Sequence, residues 1–73
     1  MIKPIKKILI TYHRQEILSL EQRQDLVLHL CISKAAKEKG IKRKLIIDES
    51  RLMINGLGRK IRKHQSRIEQ LTA

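Results

Sequence analysis

Arg59, Lys63 and Arg67 stand at i, i+4 and i+8, a spacing that stacks three cations along one side of an α-helix. Lys60 and Arg62 flank them. Cations repeated once per helical turn suit a row of phosphates. Opposite them, Leu57, Ile61, His64, Ile68 and Leu71 recur at alternating spacings of four and three, the heptad pattern of a helix packed along a narrow seam. The segment therefore offers one side for packing and one for a polyanion. An ordinary solubilising surface mixes signs, whereas this helix carries five cations and one anion, Glu69. Arg59 and Arg62 are the best placed to reach base edges, and the remaining cations to clamp phosphates.

A second basic stretch, KAAKEKGIKRK at 34–44, adds Lys42, Arg43 and Lys44 as phosphate contacts. With Ala35, Gly40 and Ile41 at small-residue and turn positions, it resembles the first helix and turn of a helix-turn-helix over about ten residues. The β-like KLII follows where a reading helix would begin, so a helix C-cap and basic loop is the competing description. Asn55-Gly-Leu-Gly58 followed by RKIRKH is similar to the GXXG loop of KH RNA-binding domains, with Asn55 in the place of the first glycine. That resemblance covers about 25 residues and implies two short helices around a loop that clamps nucleic-acid backbone.

Other chemistry finds little here. The acids form no pair near a histidine, and His13, His29 and His64 lie far apart in sequence and make no ligand motif. Cys31 is the only cysteine, excluding an intramolecular disulfide and a zinc-finger spacing; within LVLHLCI it reads as a small buried apolar residue. No enzyme, cofactor or metal centre is expected. Tyr12 is the sole aromatic, which argues against modules that stack bases on aromatic side chains.

The net charge is +10, from 17 Lys and Arg against 7 Asp and Glu, and a charge this large attracts polyanions. Residues 1–40 carry eight cations and four anions; residues 41–73 carry nine and three. A single domain of 73 residues with no Phe or Trp must build its core from aliphatic side chains, and a second copy would supply missing buried area. No segment has the apolar length of a secretory signal or a membrane span, so a cytoplasmic protein with no membrane partner is expected.

Three elements should position these residues. Residues 1–13 read as an N-terminal strand: IKKILITY is β-branched, follows Pro4 and places Ile8, Ile10 and Tyr12 on one face at period two. Residues 19–39 read as a central helix, opened by the capping-box spacing of Ser19 and Gln22 and closed by Gly40 as a left-handed C-cap. On it Leu20, Val27, Cys31 and Ala35 form one stripe, with Leu26 and Leu30 to one side and Leu28, Ile32 and Ala36 to the other. A helix apolar around most of its circumference should be buried on several sides.

Residues 48–71 form a C-terminal helical region. Ile47 and Ile54 continue its seam backwards, compatible with one long helix, but Gly56 and Gly58 cost about 1 kcal/mol each against Ala and favour a break at Asn55-Gly56. KLII is a candidate second strand, and a hairpin around DES or NG is the alternative to a short helix at RLMIN.

The expected molecule is mainly α with a short N-terminal strand, a small α+β chain. It would pair as a helical homodimer through Leu20, Leu26, Val27, Leu30, Cys31, Leu57, Ile61, His64, Ile68 and Leu71. Its basic third would bind nucleic acid, DNA rather than RNA, as a transcription or replication regulator or a plasmid or phage accessory factor. The alternatives are an adaptor, inhibitor or antitoxin that sets the seam and cations against an acidic protein, and a KH-like RNA-binding fragment. His64 is the seam position whose charge changes near neutral pH, so assembly should weaken as pH falls.

Overall fold

A computed structural model describes residues 4–73. It is an antiparallel helical hairpin: α1 spans Pro4–Ala36, a turn covers residues 37–40, and α2 spans Ile41–Thr72. The rod measures 57 × 15 × 10 Å with a radius of gyration of 16.8 Å, where a globular chain of this length would have about 11 Å.

The expected N-terminal strand does not exist among the described residues; residues 4–13 are the start of α1, and residues 1–3 of that prediction lie outside them. The α+β assignment is therefore replaced by an all-helical one. The alternation of Ile8, Ile10 and Tyr12 was a coincidence of composition. Ile10 belongs to a longer pattern, Ile10, His13, Ile17, Leu20, Gln24, Val27 and Cys31, spaced by three and four without a break. Helix growth is cooperative, and isoleucine in place of alanine costs only tenths of a kcal/mol, so a continuous seam outweighs a local β preference. Pro4 fits at the first helical position, where no N–H is needed. Thr11, a poor helix former, donates its hydroxyl to Lys7 O at 3.0 Å.

KLII and NGLG are also helical. Both glycines sit inside α2, so 55–58 is neither a break nor a KH-type loop, and the helix runs seven residues further back than position 48. A Cβ at Gly58 would stand 3.4 Å from Gln24 Nε2, an ordinary contact with the end of a flexible side chain. Gln24 donates beside it to Ile54 O at 3.1 Å. Nothing near Gly56 explains its glycine. The turn at 37–40 folds α2 back along α1 in place of a helix-turn-helix crossing. Lys37 N and Glu38 N donate to Lys34 O and Ala35 O, tightening the end of α1.

Gly40 holds φ +66° immediately before α2, and its carbonyl accepts the first helical bond, from Lys44 N at 3.2 Å. Gly40, expected as the left-handed C-cap of the first helix, instead stands four residues beyond the end of α1 and, at φ +66° and ψ −133°, leads into α2. Gly40→Ala should cost about 1–3 kcal/mol, read as a lower midpoint in urea at unchanged slope. A midpoint equal to wild type would show that the turn does not need this backbone conformation.

Candidate nucleic-acid interface

The hairpin seam holds four buried side chains: Ile10, Leu20 and Ala35 from α1 and Ile61 from α2. Ile17, Val27, Cys31, Ile54, Leu57, Ile68 and Leu71 are half-buried around them. Leu57, Ile61, His64, Ile68 and Leu71, expected to join two chains, are thus spent within one. Leu26 and Leu30, expected to pack alongside them, stand outside the seam at 60% and 49% exposure. The central helix is covered on one side only.

Register follows from two cross-helix contacts. His13 Nδ1 and His64 Nδ1 lie 2.8 Å apart, and Gln24 reaches Ile54. Residues 5–19 therefore lie beside 59–72 at the open end, and 20–33 beside 45–58 in the waist. Charge sorts along the rod accordingly. The tip, residues 34–44, has six cations and Glu38. The waist has four anions, Glu21, Asp25, Asp48 and Glu49, against Arg23 and Arg51. The open end has eight cations against Glu16 and Glu69, because Lys6, Lys7 and Arg14 join Arg59, Lys60, Arg62, Lys63 and Arg67.

All eight cations singled out in the sequence are exposed. They divide into two groups: Lys42, Arg43 and Lys44 at the tip, and Arg59 to Arg67 at the open end. The twenty residues of helix from Arg43 to Lys63 separate them by about 30 Å. Lys6, Lys7 and Arg14 were missed because their segment was read as a strand; the three-four spacing that continues from Ile10 through His13 and Gln24 was the available signal.

The histidine pair is the polar layer of the seam. Both rings are half-buried, their centroids are 5.0 Å apart, and Tyr12 stands edge-on to each at 5.2 and 6.4 Å. An Nδ1···Nδ1 bond needs one N–H donor and one bare acceptor. Arg67 and Gln70 of α2 line the adjoining depression with Leu9 and Tyr12.

Among the described residues no three His, Cys, Asp or Glu side chains gather as metal ligands, and no helix is long and apolar enough to cross a membrane.

The geometry defines a class, an elongated two-helix hairpin with basic ends and an acidic waist. Compared with known proteins, the chain matches no family model, no curated protein and no solved structure.

Proposed function

We propose that this hairpin binds nucleic acid, double-stranded DNA in preference to RNA, by laying its two basic ends against successive stretches of phosphate. The reading rests on one observation, the separation of exposed cations into tip and open-end clusters about 30 Å apart along the helix pair. That distance is close to one turn of B-DNA, about 34–36 Å. The acidic waist between the clusters disfavours phosphate in the middle, so contact concentrates where the same groove geometry recurs. Arg59 and Arg62 are assigned to base edges, the other cations to phosphates. The protein acts by occupancy, as a small regulator or accessory factor of transcription or replication.

Titration of a mixed-sequence duplex of about 20 base pairs tests this. Affinity should fall by several hundred-fold or more between about 50 and 200 mM salt. Absence of binding at the lower salt would overturn the reading and leave an acidic protein as the partner to seek.

A further inference from the structure

We propose that two copies of this chain pair antiparallel through a second stripe on α1, giving a four-helix rod, and that Glu16 and Arg23 set the pairing. The stripe lies about 100° around α1 from the hairpin seam. It contains Leu9, Tyr12, Glu16, Ser19, Arg23, Leu26 and Leu30, again spaced by three and four, the signature of a second helix-packing face. Leu9, Tyr12, Leu26 and Leu30 are 41%, 52%, 60% and 49% exposed and Glu16 is half-buried, so the hairpin leaves most of this face uncovered.

The stripe is complementary to itself when reversed about Ser19. The two apolar residues on one side, Leu9 and Tyr12, then meet the partner's Leu26 and the partner's Leu30. Glu16 meets the partner's Arg23, and Arg23 meets the partner's Glu16. Ser19 is small and lies on the two-fold axis, where the helices approach most closely. A parallel pairing would instead set Glu16 against the partner's Glu16 and Arg23 against the partner's Arg23, which charge repulsion opposes. An unrelated partner would have no reason to find apolar pairs and opposite charges arranged symmetrically about one serine.

Area and shape agree with this occupant. The chain exposes 6337 Å², whereas a globular monomer of 8.6 kDa would expose about 4,700 Å². The excess, about 1,600 Å², exceeds the roughly 800 Å² that each partner contributes to a standard interface. Two depressions between the helices lie beside the stripe and can receive the partner's side chains. One is lined by Leu26, Val27, Met53 and Leu57 with Arg23 and Lys60 at its edge, the other by Leu9, Tyr12 and Leu71 with Arg67. This surface differs from the heptad seam, which is filled within the hairpin, and it does not depend on the nucleic-acid reading.

The two charges permit a test by exchange. Sedimentation equilibrium of the full chain should show a dimer. Glu16→Arg sets Arg against Arg in the homodimer, and Arg23→Glu sets Glu against Glu. Each single variant should therefore weaken self-association by at least about tenfold. Mixed in equal amounts, the two variants should form a heterodimer of wild-type strength, and E16R/R23E in one chain should restore the homodimer. Circular dichroism on the same samples reads helix content, and recovery on mixing distinguishes lost pairing from a lost fold. A monomeric wild type, single variants that dimerise as wild type does, or a mixture that fails to associate would each overturn the proposal. DNA binding is not part of the readout, so either proposal can fail alone.

Discussion

Ile61→Asp is expected to abolish the cooperative thermal transition and most of the helical signal. Ile61 is the buried residue of α2, 8% exposed, and the described chain buries only four side chains in all. A domain of this size has a stability of about 4–11 kcal/mol at the usual value per residue. Removing a buried isoleucine costs about 2–5 kcal/mol, and an unpaired carboxylate in the same place adds several more. The substitution therefore consumes the whole margin. Ile61→Val should cost only about 0.5–1.5 kcal/mol. Ile41→Asp, at a position 79% exposed, should leave the transition nearly unchanged. If Ile61→Asp melted with wild-type cooperativity, the helices would not be held through this seam.

The second large effect concerns the two basic clusters. Replacing Lys42, Arg43 and Lys44 by Gln, or Arg59, Lys63 and Arg67 by Gln, removes three positive charges at one end of the rod. With Arg59 and Arg62 at base edges and the other six of the eight singled-out cations on phosphate, the logarithmic salt slope of duplex binding is about −5.4; the tip variant should make it shallower by about 2.7 and the Arg59, Lys63 and Arg67 variant by about 1.8. Neither set belongs to the buried seam, so helicity should persist. A duplex of about six base pairs, roughly 20 Å long, cannot reach both clusters. On it the wild-type slope should be much shallower than on a long duplex. Equal slopes on short and long duplexes would show that the two clusters do not act together, and an unchanged slope in both triple variants would remove the basic ends from the function.

Part of this design is visible in the residues themselves. The C-terminal seam from Ile47 to Leu71 and the cations opposite it follow from spacing alone, because α2 keeps one period across 32 residues. Gly40 announces the turn, and among the described residues it is the one whose backbone takes a positive φ. The N-terminal segment misleads because a run of isoleucines satisfies period two and period three-and-a-half over eight residues. Only the continuation through polar His13 and Gln24 separates the two, and those residues look out of place on a packing stripe until their partners are known. The glycines at 56 and 58 mislead for a related reason: a helix held along its whole length by a neighbour tolerates a propensity cost that would end an isolated one.

The sequence by itself determined the cation count, the heptad spacing and the need for a packing partner along the last helix. Tertiary structure decided that this partner is the chain's own first helix, which converts an expected dimer seam into the hairpin core. It also decided that Lys6, Lys7 and Arg14 join Arg59 to Arg67 at one end, with Glu21, Asp25, Asp48 and Glu49 gathered at the waist. The physical reason is register. Charge and hydrophobicity are properties of single positions, but which positions become neighbours depends on how two long helices slide against each other. That offset is set by cross-helix contacts such as His13 with His64 and Gln24 with Ile54, which no single helix contains.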